Sequence, residues 1–367
     1  MTVRPSMLPI ALLLASAAAL MGQAPCAPPD AMKAQLENSP TAGAYTDLGV
    51  WYADQKQYSC AANAFATSLQ MDPNQKGAGH VAFMFGVSLY FSGDTKEAVT
   101  ALQEAEQVGY NSLELHMVLA GALDAAHSAK EAEEEWRAAV AFDPESTTAL
   151  DALSNDLIHD NDFAGTIALL DGPRLLGQRT PQQSLNLGEA YAATGKLDKA
   201  ASVLRDGLNT TPDSLALANR LASTLIRLNR RDEAAVLLEV TVEEHPDDAD
   251  AAALYLENLV ATQPDKAAET SHQLLLASPH NAKILYLCGV VAMKGGKLLE
   301  ARADLEQSLS VRPDEAQTHE ALGVVLAQLN EIAGAKEHFE RAIALGDNTP
   351  EAKANLAKAV EALGSGK

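Results

Sequence analysis

Any chemistry in this chain would fall to its nine histidines, three cysteines and 49 carboxylates. The histidines are scattered over positions 80, 116, 127, 159, 245, 272, 280, 319 and 338. His319-Glu320 opens like a metalloprotease zinc pair, but no second histidine follows three places on, so that helix would carry one ligand instead of two. No two cysteines have zinc-binding spacing, and no Gly-x-Ser-x-Gly elbow offers a serine nucleophile. Gly364-Ser365-Gly366-Lys367 looks like the end of a phosphate loop, but Glu361 stands where its first glycine belongs and no strand precedes it, so it reads as a flexible tail. Acidic runs such as Asp247-Asp248 and Glu133-Glu134-Glu135 read as solvated helix faces. The expectation is no catalytic residue, no metal and no cofactor. A net charge of -22 also speaks against nucleic acid, whose phosphates require a basic surface.

What remains is architecture. The chain has 68 alanines in 367 residues and only 5% aromatics, a balance that favours many close-packed helices over sheets. The pairs Leu48-Gly49, Phe85-Gly86, Leu119-Ala120, Leu153-Ser154, Leu187-Gly188, Leu221-Ala222, Cys288-Gly289 and Leu322-Gly323 mark a repeat, with a poorer copy centred on Tyr255. Successive markers lie 37, then mostly 34, residues apart. Twelve residues after each marker stands an alanine in eight cases of nine: Ala61, Ala98, Ala132, Ala200, Ala234, Ala267, Ala301 and Ala335. Sixteen residues after the marker come large apolar side chains such as Phe65, Leu102, Trp136, Leu204, Leu305 and Phe339. Twenty-four after it come Pro73, Pro144, Pro212, Pro246, Pro279 and Pro313.

In this pattern the chain resembles the tetratricopeptide repeat family, over residues 42–349 and nine repeats. It departs from the pattern at Tyr110, Gln178 and Asp347, which replace proline, at Thr166, which replaces alanine, and at Tyr255, which replaces a small marker. The resemblance implies an all-α, right-handed α-solenoid superhelix of helix-turn-helix units. It also implies a non-catalytic scaffold that binds a protein or peptide in its concave groove.

Physics explains the spacing independently of the family. Each repeat should hold a first helix and a turn at Gly93, Asn161, Gly195, Asn229, Gly296 or Asn330, residues that accept the left-handed conformation. A second helix follows and is stopped by proline. The small marker and the alanine twelve on let paired helices approach closely. A larger side chain at Ala200 would overpack that seam, at roughly 1–3 kcal/mol. After the last repeat, residues 350–367 should form a cap and a flexible tail, with a helix from Pro350 to Leu363 covering the open end through Leu356, Val360 and Leu363. Repeat four breaks its own rule: Leu169-Leu170-Asp171-Gly172-Pro173 puts Gly-Pro where a helix should continue, predicting an early stop that serves as a hinge or is a harmless irregularity.

Residues 1–24 read as a secretory signal peptide, with Arg4 before an apolar run from Met7 to Met21 and candidate cleavage after Gly22 or Ala24. The competing readings are an uncleaved anchor and a misplaced start. Residues 25–41 form a Pro-rich leader with a short helix. An exported, periplasmic or secreted protein meets an oxidising compartment, where Cys26 of the leader and Cys60, expected on the solvent side of its helix, could pair; otherwise they are two unrelated thiols. Cys288 beside Gly289 reads as core.

Two candidate partner sites emerge on the first helices. In repeat two, His80, Phe83, Val87, Tyr90 and Phe91 fall on the inner face, too apolar for idle solvent contact unless the leader helix from Asp30 to Glu37 covers them. In repeats four to six, Asn155, Asn186 and Arg220 stand where carboxylate-clamp members of the resembled family place two asparagines and an arginine, but the clamp's two lysines are Asp151 and Ala216 here. A polar peptide-binding stretch is the alternative there. Two functions follow: an exported scaffold for proteins or peptides, or a periplasmic accessory of envelope assembly or polysaccharide export held in an envelope complex. A glycosyltransferase with a repeat arm would need a catalytic domain, and the repeats leave no room for one.

Overall fold

A computed structural model of the protein describes residues 26–365. The signal segment read at 1–24 lies outside the described residues, as do Gly366 and Lys367 of the expected tail. Among the described residues there are twenty α-helices, one 3-10 turn and no strand. The chain forms two compact units, the first ending at Leu170 and the second beginning at Asp171.

The first unit holds the leader helix α1 (Asp30–Asn38) and four helix pairs. These are α2 (Ala42–Asp54) with α3 (Tyr58–Met71), α4 (Ala78–Ser92) with α5 (Thr95–Gln107), α6 (Leu113–Ala125) with α7 (Ala129–Phe142), and α8 (Thr147–His159) with α9 (Phe163–Leu170). In the second unit the 3-10 turn Pro173–Leu175 precedes five pairs. These are α10 (Pro181–Ala193) with α11 (Leu197–Thr210), α12 (Leu215–Arg227) with α13 (Arg231–Glu244), α14 (Ala249–Thr262) with α15 (Pro264–Ala277), α16 (Ala282–Lys294) with α17 (Leu298–Val311), and α18 (Ala316–Gln328) with α19 (Ile332–Ala344). The helix α20 (Pro350–Ser365) closes the series.

The two helices of a pair start differently. Most first helices are capped by a side chain: Thr41, Ser112, Ser146, Thr180, Ser214, Asp248 and Asn281 each accept a backbone N–H of the first turn. Most second helices follow a tight turn and have no such cap; at α9 the Asp162 carboxylate accepts the Gly165 N–H at 2.8 Å. All six predicted turn residues take positive φ, from 58° at Asn229 to 92° at Gly93. Lys56 and His127 occupy the same place in repeats one and three with φ of 58° and 61°, a strained conformation for such side chains. Repeat seven dispenses with the turn: α14 runs through Thr262, and Pro264 starts α15 at once.

The seam within each pair obeys one rule. A Cβ at Gly49 would sit 2.5 Å from Phe65, at Gly86 2.6 Å from Leu102, and at Gly188 2.7 Å from Leu204. Gly289 meets Leu305 and Gly323 meets Phe339 in the same way. The large residue sixteen places after the marker thus lies on the marker itself. The alanines twelve places on are buried. Thr166 fits their position because its hydroxyl donates back to the Asp162 carbonyl at 3.0 Å. Tyr255 keeps its ring buried at the marker of repeat seven, with the Lys266 ammonium 5.7 Å from its centroid.

The break in repeat four is present. α9 stops at Leu170, and Pro173 opens the 3-10 turn. Asp171 there accepts a short hydrogen bond from the Tyr191 hydroxyl. Burial and that bond push the phenol up to about 12.

The C-terminal cap differs from expectation. Its buried face is Ala352, Leu356 and Ala359, whereas Val360 and Leu363 are exposed. Small residues at the i and i+7 positions let α20 lie close on the last pair, and this turns the larger Val360 and Leu363 outward. Gly364 and Ser365, expected in a flexible tail, complete the helix.

Candidate functional site

A groove of about 470 Å³ lies in the second unit, on the faces of four consecutive first helices. α10 contributes Gln182, Leu185, Asn186 and Glu189, and α12 contributes Ala216, Asn219, Arg220 and Ser223. Asp250 and Leu254 from α14 and Lys283 from α16 complete the lining. The i, i+3, i+4, i+7 spacing on α10 and α12 is that of a single helical face.

Hydrogen bonds and ion pairs stitch this face together. The Gln182 amide donates to Asn186 Oδ1 at 2.9 Å. The Arg220 guanidinium reaches Glu189 at 3.0 Å, and the Lys283 ammonium lies 3.3 Å from Glu257. Asn219 turns its Nδ2 toward the Asp248 carboxylate, at 3.4 and 3.5 Å, while Asp248 also caps α14. The other amide atom, Asn219 Oδ1, is buried without a hydrogen-bond partner among the described residues. Both ion pairs are solvent-exposed and contribute under about 1 kcal/mol each. They order the face more than they hold the fold together.

Two of the three clamp residues therefore line one groove, but not as a clamp. Asn186 is buried and already bonded to Gln182. Arg220 is neutralised by Glu189, so an arriving carboxylate would have to displace that partner. Asn155 belongs to the first unit, exposed on α8.

The aromatic face of repeat two is largely occupied by the chain's own packing. Phe83 stacks on Tyr110 with ring centroids 5.0 Å apart, and His80 lies 5.4 Å from the same ring. Phe83, Val87 and Tyr90 are half-buried against the core shared by α5, α6, α7 and α8. Phe91 turns elsewhere, stacking on Tyr58 of α3 at 5.1 Å, and remains 56% exposed. The Tyr90 and Phe91 rings touch, with centroids 5.3 Å apart, so the five residues form a continuous but mostly self-covered patch with Phe91 at its open end. Tyr110, which stands where most repeats carry proline, lays its ring on Phe83 and His80. The leader helix does not cover this face, because Met32 and Leu36 of α1 pack on the core of repeat one.

Cys26 and Cys60 form a disulfide with Cα atoms 5.6 Å apart. Cys60, expected on the solvent side, is buried beneath the leader it anchors. Cys288 is a free thiol in the core.

Several polar groups escaped the sequence reading. His116, buried on α6, lies between Glu135 at 2.6 Å and Asn111 at 2.8 Å. His319, at the equivalent place on α18, bonds His338 and the Pro313 carbonyl, each at 2.9 Å. That carbonyl can only accept, so His319 donates to it through a protonated Nε2. Burial lowers the His338 pKa. Asp156 on α8 has a buried Oδ2 without a partner among the described residues. Burial first, then the charges of Asp124, Glu133 and Asp160, push its carboxyl up to about 6. Asp160 is visible in the sequence as the i+4 neighbour of Asp156, but Asp124 and Glu133 come from the preceding repeat, and no spacing gives them away. Among the described residues no group of three or more His, Cys, Asp or Glu could hold a metal ion. No helix among them is long and apolar enough to cross a membrane.

Comparisons with known proteins point the same way as the seam. Tetratricopeptide repeat models match residues 83–147, 191–256 and 289–353. Among curated proteins, the type IV pilus assembly protein PilF of Pseudomonas aeruginosa is 30% identical over 129 residues, covering 34% of this chain and 51% of the relative. The chain thus spans about half the length of that relative. Among solved structures, a thermophilic TPR protein from Thermus thermophilus is 20% identical, covering 49% of this chain and 99% of its own, with a TM-score of 0.42. MamA from Desulfovibrio magneticus is 17% identical, covering 46% of this chain and 97% of its own, with a TM-score of 0.40. With its 34-residue period, its nine helix pairs and the matched repeat models, the chain belongs to the tetratricopeptide repeat family, an all-α solenoid.

Proposed function

We propose that the protein is an exported, non-catalytic scaffold that binds a protein or peptide along the first-helix groove of its second unit. The observation that carries this reading is the groove: four consecutive first helices present one concave face of amide, hydroxyl, charged and leucine side chains. Polar side chains there can bond a peptide backbone, while Leu185 and Leu254 offer apolar contact. Export rests on the signal-like first 24 residues and on the Cys26–Cys60 disulfide, a bond that persists in oxidising compartments.

The test is site-specific photocrosslinking in the producing cell. A photoreactive phenylalanine analogue at Ala216, in the groove, should capture a discrete partner. The same analogue at Val236, exposed on the outer helix α13, should not. Equal yields from both positions would remove the groove as the binding surface.

A second reading, a component of envelope assembly, is favoured by the relative named for type IV pilus assembly. It specifies the partner rather than the binding mode. Identification of the crosslinked species as a pilus or envelope-assembly component would select it, and a soluble exported protein would reject it.

A further inference from the structure

We infer that the groove of the second unit selects a cationic, extended peptide segment and disfavours a C-terminal carboxylate. This rests on the groove reading above and adds the chemistry of the occupant. The carboxylates at and beside the groove are Glu189, Asp248, Asp250 and Glu257, and the cations are Arg220 and Lys283. Arg220 is held by Glu189 and Lys283 by Glu257. Asp248 is engaged by the cap of α14 and by the Asn219 amide. Asp250 lines the groove, exposed, and makes no ion pair among the described residues. Within the lining the two carboxylates equal the two cations, but Lys283 is taken up by Glu257 beside the groove, which leaves the Asp250 carboxylate unbalanced. A lysine or arginine lying along the groove meets Asp250 without displacing any existing partner. An incoming carboxylate meets Asp250 and must also take Arg220 from Glu189.

The surroundings fit an extended backbone. Ser223 in the middle of the groove offers a donor and an acceptor, and successive first helices lie about 10 Å apart. That distance matches three residues of extended chain. The occupant is therefore a short extended stretch with a basic residue placed over α14, and polar or small residues toward α10.

Selection of phage-displayed random dodecapeptides on the immobilised full chain tests this. Binders are sorted by their loss on an Ala216→Trp variant, in which the indole fills the groove from an exposed position. The groove-dependent set should be enriched in Lys and Arg. Its members, made as C-terminal amides, should lose about fivefold in affinity on Asp250→Asn and more on Asp250→Lys. They should also weaken as salt rises. Circular dichroism of the variants checks that each remains folded. A groove-dependent set enriched in acidic residues, or one that needs a free C-terminal carboxylate, overturns the inference and leaves the groove as a binding site. So does indifference to both Asp250 substitutions. Absence of any Ala216→Trp-sensitive peptide overturns the inference and the groove reading together.

Discussion

The same helical positions carry opposite chemistry in the two units. Six before, three before and one after the marker, repeat two has His80, Phe83 and Val87, repeat five has Gln182, Leu185 and Glu189, and repeat six has Ala216, Asn219 and Ser223. In repeat two the face is filled from within, because Tyr110 replaces the repeat-ending proline and lies on Phe83 and His80. In repeats five to seven Pro212, Pro246 and Pro279 are kept and the face stays open as a groove. The first unit is further tied down by a disulfide and a leader helix, while the second relies on exposed ion pairs across helices. A tandem array can therefore use one register of positions for stability in one stretch and for recognition in another, without changing its backbone.

The largest effect should come from the disulfide. It closes a sequence separation of 34 residues, and in the chain-entropy account such a loop contributes about 4 kcal/mol. Reduction, or Cys26→Ala with Cys60→Ala, should release α1 and expose the segment around Ser39 to limited proteolysis, while leaving protection of the second unit unchanged. If both units lose protection together, the division of labour between them is wrong. A smaller effect is expected at Tyr110. Tyr110→Ala should cost about 2 kcal/mol in thermal unfolding and increase binding of an apolar dye, as Phe83 loses its cover. Pro246→Ala at the matching place in the second unit should cost less than about 1 kcal/mol. Equal costs would mean that Tyr110 is not what closes the face.

The smallest effect sharpens the contrast in charge. The groove carboxylate Glu189 has a cationic partner, but Asp156 of the first unit has none at its buried oxygen among the described residues. Its folded-state pKa is raised to about 6 from 3.8. Its contribution to stability is thus full below about pH 4 and lost as pH rises through 6. Asp156→Asn should stabilise the protein by about 1 kcal/mol at pH 7.5, a value discounted for partial solvent screening, and by almost nothing at pH 4. A gain of equal size at both pH values would place its origin in packing rather than in charge.

Seam and turns are legible because each lies within one helix pair. Gly188 faces Leu204 sixteen residues later, and Asn229 sits at a fixed offset in its turn, so local spacing carries the information. What faces a neighbouring repeat is harder to read. Tyr110 is visible as a departure from proline, but its contact with Phe83 depends on how one pair lies on the next. The groove could have been found by moving the positions used for repeat two onto repeats five and six. The clamp pattern points to Asn186 and Arg220, and their partners Gln182 and Glu189 decide what they do. Cys60 reads as solvent-facing because a bare repeat leaves that side open; the leader that buries it follows no repeat. In the cap, the largest apolar residues give the wrong face, since close approach favours Ala352 and Ala359.

The third cysteine bears on how the first two find each other. Three thiols allow three pairings, and oxidative folding sorts them by which sulfur can be attacked and which can attack. Burial pushes the Cys288 thiol up to about 12, and its sulfur donates to the Ser271 carbonyl at 3.5 Å in the core of the second unit. Attack requires a thiolate with access to solvent or to a disulfide, and Cys288 has neither once its repeat has folded. Folding of the second unit withdraws this competitor from thiol exchange. The pairing of Cys26 with Cys60 then needs no isomerase to correct it, provided that repeat eight closes before the oxidant acts.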